Sequence, residues 1–203
     1  MKIICVGRNY REHARELNNP VPEQPVIFFK PDTALLRNNK DFYYPDFSQD
    51  IHYECELVLR IAREGKHIQP QYVPTYLDGV GLGIDFTARD IQQACKQKGL
   101  PWTLAKGFND AAPVSDFLPP EQFPDLQDVH FRCLINGQTR QVGHTANMIF
   151  DVHYLIAYIT RYITLKKGDL VFTGTPKGVG AVAAGDHIEG FLGEKKMLDF
   201  HVK

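Results

Sequence analysis

Residues 52–62 restrict this chain more than any other stretch, because their polar and apolar positions alternate and two of the polar positions are acids. Read as a β-strand, Tyr53, Cys55, Leu57, Leu59 and Ile61 share one face, while His52, Glu54, Glu56 and Arg60 share the other. The pleat therefore sets two carboxylates side by side. Like charges that close oppose each other's ionisation, so the pair calls for a compensating cation. The alternative is a solvated strand face, since alternating polar positions are the default in half-buried strands.

Apolar runs and breakers lay out the rest. A buried strand is expected over Ile3 to Val6, then a short exposed helix over Tyr10 to Leu17. On that helix His13 and Glu16 are three apart and share a face, so they form either a surface ion pair or an imidazole oriented by a carboxylate. Residues 18–25 carry three prolines and suit a mobile lid. Val26 to Lys30 is a second strand, whose closing Lys30 either enters a site or snorkels.

Residues 76–87 form a Gly-rich strand that permits close backbone approach. Asp85 at its end is either the cap of the following helix or a third ligand. That helix spans Arg89 to Lys98 and stops at Gly99. Lys106 stands isolated near Trp102, the only tryptophan, and residues 113–126 look connective and superficial.

Asn136-Gly137 is the strongest hairpin signal, joining strands over 129–135 and 138–142. Asn147 to Ile163 has the period of the longest helix, and its apolar stripe suits core or dimer packing. Residues 169–180 run from a strand into a Gly-rich turn that lacks the GxxxxGK[ST] spacing of a nucleotide phosphate loop, although its amides could hold a carboxylate. Residues 186–203 alternate as short β segments around Gly193.

With a net charge of −1, no basic excess points to nucleic acid or a membrane surface, and the expected partner is a small molecule or another protein. Cys5, Cys55, Cys95 and Cys133 form no CxxC pair and read as reduced core thiols. Met1 to Val6 runs into a strand without an apolar signal region or an Arg/Ser-rich presequence, which suggests a cytosolic protein.

Seven segments in order carry a resemblance: VGRNYREHARE at 6–16, FFKP at 28–31, HYECEL at 52–57, DFTARDIQ at 85–92, KGLPWTLAKGF at 98–108, GHTANMIF at 143–150 and TGTPKGVG at 173–180. Together they resemble the fumarylacetoacetate hydrolase family, most closely its short acylpyruvase and oxaloacetate decarboxylase branch. The resemblance implies an α+β fold, a mixed β-roll or β-sandwich with a few short helices, as a single domain over 1–203 with a lid near 10–25. It implies a homodimer as well.

Carried over position by position, the resemblance makes Glu54, Glu56 and Asp85 metal ligands, and His13 with Glu16 a base dyad. It puts Lys106 beside the substrate oxygens and adds Arg8, Lys30, Arg89, Gln92 and Thr175 as contacts to a 2-oxo acid. Three carboxylates make a hard oxygen site suited to Mg²⁺ or Mn²⁺. The implied activity is hydrolysis of acylpyruvates, decarboxylation of oxaloacetate, or both. The alternative is an isomerase or hydratase of dienoate 2-oxo acids.

Overall fold

The computed structural model describes residues 1–17 and 20–203. In chain order it contains β1 (Ile3–Gly7), α1 (Arg11–Glu16), β2 (Val26–Lys30), β3 (Leu35–Leu36), β4 (Ile51–Tyr53), β5 (Cys55–Ile61), β6 (Leu77–Ile84), β7 (Thr87–Ala88) and α2 (Arg89–Lys98). There follow α3 (Thr103–Lys106), β8 (Ala112–Pro113), β9 (His130–Ile135), β10 (Gln138–His144), α4 (Val152–Tyr162), β11 (Leu170–Phe172), β12 (Gly180–Ala181), β13 (His187–Leu192) and β14 (Lys195–His201).

The apolar strands sit where their composition demands. A five-stranded sheet runs β2-β1-β11-β5-β6, with β1 and β11 parallel and the other neighbours antiparallel. Its inner strands are buried on both faces, which explains the near-continuous hydrophobic runs at 3–6 and 57–59. An antiparallel four-stranded sheet, β10-β9-β13-β14, keeps one polar face, and two smaller sheets pair β12-β4-β7 and β3-β8. This is the mixed α+β architecture that the resemblance implies.

Local chemistry sets the ends of the elements. Asn136 and Gly137 both have positive φ, 53° and 73°, as a tight hairpin with the twist of its strands requires. Gly99 ends α2 in the left-handed region, and the side chain of Asp151 caps α4 by accepting from the Tyr154 amide. That cap starts α4 at Val152, so the helix expected from Asn147 is shorter than its apolar period suggested. In β6, a Cβ on Gly83 would lie 2.6 Å from the Phe172 ring, so the Gly-rich strand does permit close approach.

Two expectations are corrected. Residues 52–62 are not one strand: the chain breaks at Glu54, leaving β4 in the three-stranded sheet and β5 in the five-stranded one. Residues 113–126 are not merely superficial. Their backbone pairs along the outer edge of β6 at Leu118 with Val80 and at Ser115 with Leu82, because that edge has donors and acceptors that must be met.

Candidate metal centre and active site

The break at Glu54 builds the site. Glu54 lies at the seam between two sheets, Glu56 is on β5, and Asp85 follows β6, whose Ile84 pairs with Cys55. Register and seam thus bring the three acids together, with one oxygen from each within 4.8 Å of the others. They are 6%, 2% and 1% exposed, so the solvated-face reading of residues 52–62 is excluded. Asp85 is no helix cap either, since the N-cap of α2 is Ala88.

Buried carboxylates need cations, and the chain supplies three. Lys106 Nζ lies 2.9 Å from Glu54 Oε2 and 2.7 Å from Asp85 Oδ2, so one ammonium bridges two of the acids. Arg89 donates to Glu54 Oε1. Lys30 Nζ is 2.7 Å from Asp85 Oδ1. Burial pushes the Glu54 carboxyl up, but Lys106 and Arg89 outweigh it and hold the group well below the usual carboxylate range. Glu56 behaves in the opposite way: burial, then Asp85 and Glu54, push it well above that range, against one hydrogen bond from the Gly174 amide at 2.7 Å.

This donor set fits a divalent ion. Asp85 Oδ1 is buried and meets the Lys30 ammonium at 2.7 Å, which leaves the carboxylate lone pairs enough to share with an ion. Among the described residues no cation forms an ion pair with Glu56. Three converging carboxylate oxygens with no sulfur or imidazole among them match Mg²⁺ or Mn²⁺.

The first helix closes over this centre. Although Tyr10 to Leu17 looks mostly polar, its inner face buries Tyr10, His13 and Ala14, and His13 is only 3% exposed. His13 Nδ1 is 3.4 Å from Glu16 Oε2, and the Gly178 amide donates to Glu16 Oε1 at 3.0 Å. Lys177 pairs with Glu12 at 2.8 Å, so the 173–180 turn grips the outside of α1 at two points. Burial lowers the His13 pKa despite the opposing pull of Glu54 and Glu16, and the imidazole is neutral and able to accept a proton near pH 7. The lid expected over 10–25 includes Asn18 and Asn19, which lie outside the described residues.

Arg8, His13, Glu54, Glu56, Arg89, Gln92, Lys106 and Thr175 all line one cavity, walled by Phe28 and Trp102. Lys30 is placed differently. Its ammonium is fully buried, donating to the Phe86 and Lys106 carbonyls, and it sits behind Asp85 instead of facing the cavity. Glu16 stands behind His13 in the same way, and the Thr175 hydroxyl donates to the Cys55 carbonyl at 2.8 Å.

Gln141 was not legible beforehand. A register shift beside Arg140 precedes it in β10, and it is completely buried while Gln138 to Arg140 and Val142 of the same strand are exposed. Its Oε1 accepts from the Cys55 amide at 2.9 Å, and its Nε2 donates to Thr175 Oγ1 and the Pro176 carbonyl at 2.8 Å each. Gln141 thus replaces a strand partner where the chain changes sheets, and it clasps the residue between the two glutamates. No periodicity signals a bulge, so only its polar character amid exposed neighbours could have hinted at it.

Comparisons with known proteins agree with this geometry. The family model for the fumarylacetoacetate (FAA) hydrolase C-terminal region matches residues 2–197. The oxaloacetate tautomerase FAHD1, mitochondrial, of Rattus norvegicus is 43% identical over 201 residues, covering 99% of this chain and 91% of that protein. The oxaloacetate decarboxylase, mitochondrial, of Dictyostelium discoideum is 42% identical over 203 residues, covering 99% and 93%. Fumarylpyruvate hydrolase from Pseudomonas aeruginosa, solved in complex with Mn²⁺ and pyruvate, superposes with a TM-score of 0.93 at 34% identity, covering 100% and 89%.

The cytosolic expectation is overturned by the names of these curated relatives, which are mitochondrial. That expectation rests on Met1 to Val6 running straight into a strand with no visible presequence, and compartment does not follow from that observation. A buried acid triad at a sheet seam, its bridging lysine, a family match over 2–197 and identities above 40% along nearly the whole length lead to one conclusion: the chain belongs to the fumarylacetoacetate hydrolase family.

Proposed function

We propose that this chain is a divalent-metal enzyme acting on short 2-oxo acids at the bond or proton next to C3: acylpyruvate hydrolysis, oxaloacetate decarboxylation, or oxaloacetate keto-enol interconversion. The carrying observation is Lys106, whose ammonium bridges Glu54 and Asp85 in the cavity that His13 also lines. The three reactions share one electronic demand. Hydrolysis and decarboxylation break the C3–C4 bond and leave its electron pair on the pyruvate fragment, whereas tautomerisation removes a proton from C3. In each, negative charge develops on the 2-oxo oxygen.

Glu54, Glu56 and Asp85 would hold Mg²⁺ or Mn²⁺, which when bound supplies a Lewis acid for that oxygen. Lys106 adds a fixed positive charge beside it, inside a site where water does not screen it. Arg89 and Gln92, themselves hydrogen-bonded at 2.7 Å, stand at the cavity wall where a carboxylate can be held. His13, neutral and backed by Glu16, takes the proton from the attacking water in hydrolysis or from C3 in tautomerisation. Decarboxylation needs no base, because the fragment that leaves is CO₂.

The relatives named for oxaloacetate tautomerisation, oxaloacetate decarboxylation and fumarylpyruvate hydrolysis support this reading and do not favour the dienoate isomerase. Product analysis of Mg²⁺-loaded protein with acetylpyruvate, fumarylpyruvate, oxaloacetate and a dienoate 2-oxo acid tests it. Pyruvate release, or faster decay of enol-oxaloacetate absorbance, is the expected result, abolished by chelation and restored by Mg²⁺ or Mn²⁺. Turnover of the dienoate alone, or full activity after the metal is stripped, would sink the proposal.

A further inference from the structure

The charges around the acid triad balance without Arg8 and Lys96. Glu54, Glu56 and Asp85 carry three formal negative charges, and Lys30, Lys106 and Arg89 carry three positive ones in contact with them. A divalent ion brings two more positive charges, of which a monoanionic 2-oxo acid cancels one. Arg8 and Lys96 also line this cavity, and among the described residues neither pairs with a carboxylate.

The fold places both cations at the same end. On α2, Arg89, Gln92 and Lys96 fall at i, i+3 and i+7, so they share one face, with Lys96 about 10 Å further along the axis than Arg89. Arg89 is committed to Glu54, which leaves Lys96 as the cation nearer solvent. Its ammonium stands 5.6 Å from the centre of the Trp102 ring, and Trp102 packs edge-on against Phe28 at 5.8 Å. An exposed lysine is ordinarily just solvated, but here an aromatic wall steers it over the cavity. Arg8 is half-buried and holds a left-handed backbone, φ 60°, that a non-glycine residue rarely adopts. Partial burial, then Arg89 and Arg8, lower the Lys96 pKa, with Glu54 pulling the other way.

We infer that Arg8 and Lys96 form a second carboxylate subsite at the mouth of the cavity, which selects 2-oxo acids with a terminal carboxylate over those ending in an alkyl group. This rests on the 2-oxo-acid reading of the site, and it makes Lys96 a specificity-determining residue. Oxaloacetate and fumarylpyruvate share the required chemistry at two lengths, while acetylpyruvate lacks it.

The test uses two unreactive probes of equal length, 2-oxoglutarate and 2-oxopentanoate, which differ in the terminal carboxylate. Their dissociation constants are measured by calorimetry on Mn²⁺-loaded wild-type protein, Lys96→Met and Lys96→Arg. Wild type should prefer 2-oxoglutarate by about fivefold or more, the scale of one or two partly exposed ion pairs. Lys96→Met should erode that preference by weakening 2-oxoglutarate alone, Lys96→Arg should retain it, and added KCl should reduce it. Turnover of oxaloacetate and fumarylpyruvate then separates the two lengths, the better-fitted acid showing the larger KM increase in Lys96→Met.

Equal affinity of the two probes in wild type, or a preference untouched by Lys96→Met, would overturn the subsite even if the enzyme turns over its substrates. An intact preference in a protein without turnover would leave the subsite standing and remove the proposed reaction. Binding of neither probe overturns both.

Discussion

Lys106 shows how much one side chain decides here. With its ammonium 2.7 to 2.9 Å from two carboxylates, it keeps Glu54 ionised in a buried setting, and in the proposed reaction its charge would lie beside the developing oxyanion. Asp85 and Glu54 in turn raise the Lys106 pKa against the opposing effect of burial, so the lysine is charged throughout the neutral range. A charge most useful once the enolate has formed contributes to rate more than to binding. Lys106→Met in Mg²⁺-loaded protein should therefore lower kcat by roughly 10²-fold or more with a much smaller change in KM. Steady-state kinetics on oxaloacetate decides it, and an effect confined to KM would make Lys106 a carboxylate anchor only.

At the scale of elements, the joint between α1 and the 173–180 turn rests on few polar contacts. The helix has six residues and is held outside by the Gly178 amide on Glu16 and by the exposed Lys177–Glu12 pair, neither of which is strong on its own. Position 178 itself requires glycine: its φ is 97°, and a Cβ would meet the Arg140 carbonyl oxygen at 2.1 Å. The bulge beside Gln141 thus also seats the turn that orients the proposed base. Ligand at the acid triad gives His13 a further contact, so oxalate should slow amide exchange over residues 10–17 in Mn²⁺-loaded protein. Glu16→Gln should retain oxalate affinity while slowing acylpyruvate hydrolysis by about 10²-fold. Unchanged exchange together with normal hydrolysis would reduce His13 and Glu16 to a structural pair.

For the whole molecule, the triad is a junction, since its acids come from the sheet seam, from β5 and from the end of β6. Folding without metal buries these acids against cations that only partly relieve them, as the raised Glu56 pKa records. An ion that binds the folded triad and not the unfolded chain stabilises by mass action, about 2.7 kcal/mol at a hundredfold excess over Kd. For a domain near 200 residues that corresponds to a Tm increase of roughly 5 to 10 °C. Scanning calorimetry with Mn²⁺ and then with excess chelator checks it. No shift at saturating metal would mean that the triad does not hold the ion.

Strand runs, the Asn136-Gly137 hairpin, the extent of α2 and the pairing of Glu54 with Glu56 were legible because period, turn chemistry and short-range spacing are local properties. The ordered motifs pointed to Asp85, Lys106 and His13, whose spacing alone left Asp85 open between cap and ligand and favoured a surface lysine and a surface ion pair for the other two. Burial and long-range register settled what local pattern could not. Asp85 meets Glu54 because β5 and β6 pair in one register, and Lys30 turns out to face Asp85 from behind because β2 and α3 pack where they do. Gln141, Lys96 and the break at Glu54 were invisible for the same reason. Each gains its role from a neighbour distant in sequence, through a bulge, a cavity wall or a change of sheet, and a chain carries no local mark of contacts that exist only after it has folded.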